Sequence, residues 1–265
     1  MKRSSLFCLA AGLLVLSGVA ACRSEYDQIL ESNDVDLKYA AAFDYFNAGK
    51  YSRSAQLFES LSLLTNGLER HDTVLFYLGL SNYSFKDYYT AETNFDQYLN
   101  YYPQGDFAEQ ADFLRIDCLY RSTLRYELDQ TPTYTAITAL GEYLQEHPVG
   151  ANADILRHRM EELGERLDRK AFESARLYYK MEDYKASRVA FKNILKDDAD
   201  NVFREEILYY SAMSSYKFAD NSVPSKRKER FLVFQDDYLN FIGEYPESDH
   251  RKELDSLYEK VKENY

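Results

Sequence analysis

Val19-Ala20-Ala21-Cys22 is the stretch of this chain whose residue types and spacing specify a reaction. Small residues before a cysteine, at the end of an apolar run, resemble a bacterial lipobox: a lipoprotein signal peptidase cuts there and the cysteine thiol carries a diacylglycerol. The flanks fit. Lys2 and Arg3 give a basic start, Leu6 to Val19 is apolar but too short to span a bilayer comfortably, and Arg23, Glu25 and Asp27 follow at once. An ordinary Ala-x-Ala cleavage site with an incidental cysteine is the competing reading. The expectation is that residues 1–21 are a lipoprotein signal peptide and that Cys22 is the lipid attachment site. Bacterial lipoproteins typically carry three acyl chains, palmitate among them, and at about 0.8 kcal/mol per buried methylene such an anchor is effectively permanent.

No second reactive constellation is found. Cys8 leaves with the signal, so beside Cys22 the mature chain keeps only Cys118, which cannot form an intramolecular disulfide and sits in a helical pattern with Ile116, Leu119 and Tyr120 as a small core residue. His71, His147, His158 and His250 are scattered without a second ligand at metal spacing, and His147 before Pro148 reads as a turn residue. No phosphate-binding glycine loop or nucleophile elbow occurs. The pairs Asp197-Asp198 and Asp236-Asp237 could suggest acid–base work, but adjacent carboxylates on an exposed loop or helix are the more ordinary case. Catalytic residues, metal ligands and cofactors are therefore expected to be none. The formal net charge of −12 becomes −14 once Lys2 and Arg3 leave, which opposes binding to phosphate backbones and excludes nucleic acid as a partner.

Elements without chemistry of their own must then serve as a surface. The chain has 265 residues, with only 10 Gly and 5 Pro but 25 Tyr and 16 Phe, so long helices with aromatic seams are favoured over tight turns. Residues 75–87, LFYLGLSNYSFKD, and 208–220, LYYSAMSSYKFAD, repeat one another. The unit resembles the tetratricopeptide repeat, a pair of helices: Leu78-Gly79 and Tyr83 lie on the first helix, Ala91 and Phe95 on the second, and Pro103 closes it. Matching copies run through Ala42, Tyr45, Gly49-Lys50-Tyr51 and Phe58, and through Ala175, Tyr178, Asp183-Tyr184 and Phe191. A third copy, with Phe113, Ile116 and Tyr120 then Ala136, Leu140 and Pro148, has a long connection through residues 128–132. A fifth, ending at Tyr245-Pro246, carries extra residues around 225–230.

The expected fold is all-α, a tetratricopeptide-repeat solenoid of about five helix pairs. Leu156, Met160, Leu163, Leu167, Ala171, Ala175 and Tyr178 form one stripe over about six turns, predicting a long linking helix; Glu161, Glu162, Glu165, Arg166, Asp168 and Arg169 lie off it as a solvated face. The expected organisation is a lipidated tether over 22–34, a first repeat half over 35–150 and a second over 151–265. Solenoids of this kind offer a groove lined by the first helix of each pair. The repeat pattern places Tyr39, Phe43, Phe46, Phe76, Leu80 and Tyr83 on it, an aromatic surface suited to an extended peptide, with packing between copies as the alternative.

With lipobox, repeats and Tyr-Pro endings together, the mature chain resembles the BamD family of outer-membrane assembly lipoproteins. The stretches 128–136, Arg169-Lys170-Ala171-Phe172-Glu173 through Tyr184, and Arg204-Glu205-Glu206 are similar to the form found in Bacteroidota. Asp198-Ala199-Asp200 replaces the proline that would close the fourth copy. The resemblance implies a non-catalytic lipoprotein of the outer membrane, anchored by its lipid and facing the periplasm. It also implies docking on the periplasmic domains of BamA, the barrel-forming subunit, through the long helix and carboxy-terminal half. The amino-terminal groove would receive the terminal signals of unfolded outer-membrane β-barrel precursors. A periplasmic scaffold for cell-wall enzymes is the alternative; a SusD-type glycan binder, usually twice as long and reliant on Trp, fits less well, since Trp is absent.

Overall fold

The computed structural model describes residues 24–264; Cys22 and the expected signal peptide lie outside them. Twelve helices and no strand occur among the described residues: α1 (Glu25–Glu31), α2 (Val35–Asn47), α3 (Tyr51–Leu64), α4 (His71–Phe85), α5 (Tyr88–Tyr101), α6 (Ala108–Arg121), α7 (Thr131–Glu146), α8 (Ala151–Lys180), α9 (Tyr184–Asp197), α10 (Arg204–Asp220), α11 (Pro224–Glu244) and α12 (Arg251–Asn264). The fold is all-α, built of tetratricopeptide-type helix pairs. No helix among them is long and apolar enough to cross a membrane.

Two compact units divide between Ser122 and Thr123. In the first, each helix from α2 to α6 packs on the next, and α1 lies against α2 and α3. In the second, α7 to α12 pack in the same successive way. This division falls before the boundary at residue 150 read from the sequence, and local hydrogen bonds supply the reason. The long connection between α6 and α7 is latched onto α8: Arg166 donates to Thr123 Oγ1 at 2.7 Å and to the Leu124 carbonyl at 3.1 Å. Lys170 donates to the carbonyls of Tyr126 and Leu128 at 3.0 and 2.7 Å. Arg166 therefore does not belong to a solvated face as expected; nor does Asp168, which accepts the Val202 amide at 3.1 Å.

Three of the turns inside the pairs share one device. Gly49, Lys86 and Glu182, which follow α2, α4 and α8, all have left-handed backbone, with φ of 70°, 69° and 63°. This conformation reverses the chain within two residues, and Asp87 and Asp183 then cap the next helix by accepting the amides of Thr90 and Ala186.

The internal repeat seen in sequence extends to buried polar contacts. Ser54 Oγ lies 3.1 Å from Ser81 Oγ between α3 and α4, and Ser214 donates to Ser187 at 3.0 Å between α10 and α9, both pairs fully buried and at matched positions of the two copies. Small hydroxyls at these crossings let the helices approach while satisfying each other in the core.

The long helix spans 30 residues, Ala151–Lys180, as the stripe predicts. Its buried positions are Ala153, Leu156, Leu163, Phe172 and Ala175, whereas Met160 and Tyr178 are 38% and 45% exposed and do not belong to the buried face. Phe172 is buried where Ala171 was expected.

Candidate peptide-binding face

Of the six residues read from the sequence as an aromatic surface, three stand together on α2 and three on α4 turn toward another core, while Tyr77 of α4 meets the α2 rings. Tyr39, Phe43 and Phe46 follow one another along α2, separated by about one turn each, and all are half-buried. Tyr39 and Phe43 stand 5.0 Å apart between ring centroids. Across from them Tyr77 of α4 meets Phe43 at 4.6 Å and Phe46 at 5.3 Å, both nearly edge-on. Edge-to-face contacts of this kind place the positive ring edge against the negative face of its neighbour; Phe58 stands behind both, 5.1 Å from Phe43 and 5.8 Å from Tyr77.

Phe76 does not belong to that surface. It is 2% exposed, stacks on Phe107 at 4.4 Å and 9°, and meets Phe95 and Tyr98 at 6.0 Å inside the α4–α6 core. Leu80 and Tyr83 also turn toward that core and away from α2. Tyr83 stands 5.7 Å from Tyr88, and its hydroxyl donates to the buried Asp117 at 2.5 Å. Burial, with the Asp117 carboxylate, pushes the Tyr83 hydroxyl up to about 12, so it stays a neutral donor. Arg121 closes this end, 2.5 Å from Asp117 and over the rings of both Tyr83 and Tyr88.

The residue missed by sequence reading is Tyr77. In the run Leu75-Phe76-Tyr77-Leu78 every position is apolar or aromatic, so periodicity alone cannot choose which ring faces the neighbouring first helix. The signal was in the repeat: the second copy reads Leu208-Tyr209-Tyr210, which keeps a tyrosine at the position of Tyr77 and not a phenylalanine at that of Phe76. Tyr210 has the corresponding environment in the second unit, 5.1 Å from Tyr179 and 5.9 Å from Phe191. There, Arg176 stands over the ring at 5.6 Å and is paired with Glu173 at 3.0 Å. The second unit thus offers a mixed, charged version of the surface that is aromatic in the first.

Phe107 extends the aromatic row, half-buried and 6.3 Å from Tyr77. Its amide donates to the Tyr98 hydroxyl at 3.2 Å, which fixes the residue at the start of α6. At the opposite end Arg70 covers the Tyr39 ring at 5.1 Å while bridging to Asp36 at 2.7 Å. An extended chain laid along Tyr39, Phe43, Phe46, Tyr77 and Phe107 would meet successive ring faces and one guanidinium, a set suited to apolar and aromatic side chains.

The groups with reactive potential are engaged in packing. Cys118 is fully buried, and burial first, then Asp117, pushes its thiol up to about 12, far from thiolate character. His71 is buried with Nδ1 hydrogen-bonded to Thr65 Oγ1 at 3.0 Å, and burial lowers the pKa of the ring. His250 stacks on Tyr209 at 4.0 Å, and His147 is the exposed residue ending α7. Among the described residues no three His, Cys, Asp or Glu side chains come together as a metal set. Of the acidic pairs, Asp237 is not solvated: it is 4% exposed and bound by Arg188 and Lys192.

The chain is similar to several known proteins. It is 22% identical over 202 residues to the outer membrane protein assembly factor BamD of Caulobacter vibrioides, an alignment covering 75% of this chain and 66% of that protein. The chain thus spans just under two thirds of the length of that relative. Among solved structures it resembles the TPR2AB-domain:pHSP90 complex of yeast Sti1 (14% identity, TM-score 0.41, covering 86% of this chain and 98% of that one). It likewise resembles a TPR repeats protein from Bacteroides fragilis (14% identity, TM-score 0.41, covering 88% and 100%). The outer membrane lipoprotein family YfiO matches residues 32–210. That match runs from just before α2 into the first half of α10 and covers well over half of the sequence, and the chain belongs to the YfiO family of outer membrane lipoproteins.

Proposed function

We propose that this chain is the lipid-anchored scaffold subunit of a β-barrel assembly machine, held through Cys22 at the outer membrane, facing the periplasm and acting without catalysis. The first unit would bind the terminal signals of unfolded barrel precursors, and the second the periplasmic domains of BamA. The observation that carries the reading is the row Tyr39, Phe43, Phe46 and Tyr77, rings left half-buried side by side while Phe58, Phe76 and Phe95 nearby are packed away from solvent. Family membership and the relative named as an assembly factor support the setting. The charged counterpart around Arg176 and Glu173 supports a different partner for the second unit.

Purification of the tagged full-length protein from membranes is the direct test. BamA is expected among the retained proteins; cell-wall synthases in its place would favour the scaffold alternative, and a TonB-dependent porin the glycan-binding one. A second measurement addresses the face itself. Phe43→Ala with Tyr77→Ala should weaken binding of a peptide ending in an aromatic residue by about tenfold or more, the loss expected when two central rings are truncated. Helicity by circular dichroism checks that the variant folds. Unchanged affinity in a folded variant would assign these rings to packing alone.

A further inference from the structure

Tyr26 lies four residues after Cys22, within the segment 22–34 expected to act as a lipidated tether. It is instead built into the first unit. Its ring is 8% exposed, meets Tyr45 edge-on at 5.2 Å and is covered by the Arg53 guanidinium at 5.0 Å. Its hydroxyl donates to Gln56 Oε1 at 2.7 Å and lies 3.2 Å from the Arg53 carbonyl. Around it α1 is fixed at its start by a reciprocal Ser24–Asp27 capping box, and Ile29 and Leu30 pack on the α2–α4 core.

The consequence is one of reach. A free tether from residue 22 to 34 would extend to about 45 Å, whereas the two steps from Cys22 to Ser24 span at most about 7 Å. We propose that Tyr26 is a latch that mounts the first repeat directly on the bilayer surface, so that the start of α1 and the turn between α2 and α3 face the lipid headgroups. Lys50, over the Tyr45 ring at 5.5 Å, and Arg53 are exposed at this edge and present cations to headgroup phosphates; Glu25 and the capping Asp27 are the acidic groups beside them. The latch turns a lipid attachment into a fixed orientation of the peptide-binding unit. This inference rests on Cys22 carrying the lipid.

The test uses the full-length lipoprotein in vesicles containing headgroup-labelled acceptor lipid, with a donor dye at Asn47→Cys and, in a second sample, at Glu109→Cys. Energy transfer should be stronger from position 47 than from 109. Tyr26→Ala, and separately a ten-residue Gly-Ser insertion between Arg23 and Ser24, should lower transfer from position 47 by about twofold or more, as the permitted reach grows from about 7 Å toward about 45 Å. Tyr26→Phe, which keeps the ring, should retain most of it. Equal transfer from the two sites, or transfer unmoved by both the alanine variant and the insertion, overturns the latch. Mass spectrometry of the Cys22 peptide separates the two readings: an unacylated peptide overturns the anchor and the latch with it, while an acylated peptide with equal transfer overturns the latch alone.

Discussion

Truncating Phe95 to alanine should lower the unfolding free energy by about 3–5 kcal/mol, read as a shift of the urea midpoint at unchanged slope. Phe95 is fully buried on α5, and the position facing it on α4 is Gly79. A Cβ built on Gly79 would sit 2.7 Å from Phe95 Cε1 and 2.8 Å from Cδ1, closer than non-bonded carbon atoms can stand. The helix thus leaves a notch that only this ring fills. Phe76 stands against the same ring at 6.0 Å and is itself backed by Tyr98 at 6.0 Å and Phe107 at 4.4 Å. Removing the ring leaves a cavity bounded by two rigid helices, which relax only partly. The reciprocal change, Gly79→Ala, should also destabilise, by about 1–3 kcal/mol, although alanine is the better helix former by about 1 kcal/mol. Combining the two substitutions supplies the sharper check. A methyl group growing into the space vacated by the ring should make the double variant lose less than the two single losses added together. Strict additivity would mean that the notch and the ring are not matched.

How much of this was legible in the sequence depends on which physical signal each feature carries. The notch was legible because Gly79, Ala91 and Phe95 recur at the separations of a known repeat, and a small residue opposite a large one marks two helices in close approach. The long helix was legible because its apolar stripe runs unbroken over about six turns. The boundary between units was not, because Arg166 reads as a surface charge and nothing in the sequence gives Lys170 a distant partner. Only the folded chain shows that their hydrogens go to residues 123–128, mostly to backbone carbonyls. Tyr77 was passed over for Phe76 because adjacent aromatics differ by only about 100° around a helix, and hydrophobicity does not rank a tyrosine as the more exposed partner. Tyr39, Phe43 and Phe46 fall at spacings of four and three, so their place on one side of α2 was legible. The helix within the tether of 22–34 was not legible for the opposite reason: a seven-residue helix has no periodicity long enough to notice, and Tyr26 is held by contacts with Arg53 and Gln56 about thirty residues away in sequence.

Replacing Asp237 with alanine should cost the second unit about 3 kcal/mol or more, the loss incurred when one member of a buried ion pair is removed and the other remains. Asp237 sits on α11 at 4% exposure and is held from α9 by Arg188, whose Nε and Nη2 donate to its two oxygens at 2.6 and 3.1 Å. Lys192, one turn along α9, adds a contact at 3.2 Å, and Ser215 of α10 donates to the same carboxylate. One side chain therefore ties three successive helices of the unit, and its two-oxygen contact with Arg188 fixes the rotation of α11 relative to α9 as well as their separation. The loss lies at the low end of the range for buried pairs because the Arg188 side chain is 23% exposed and Lys192 half exposed, so water can partly take over when the carboxylate is gone. Ser215 gains nothing from water at 2% exposure, and its hydroxyl can turn back only to the Ser211 carbonyl, 3.1 Å away. The pairing is separated from simple packing by a second variant: Arg188→Met with Asp237→Leu removes the two-oxygen pair, leaves only the half-exposed Lys192 to be solvated, and should recover most of the stability lost by Asp237→Ala. A double variant as unstable as the single one would show that volume and helix packing, not the buried charge left behind, govern this junction.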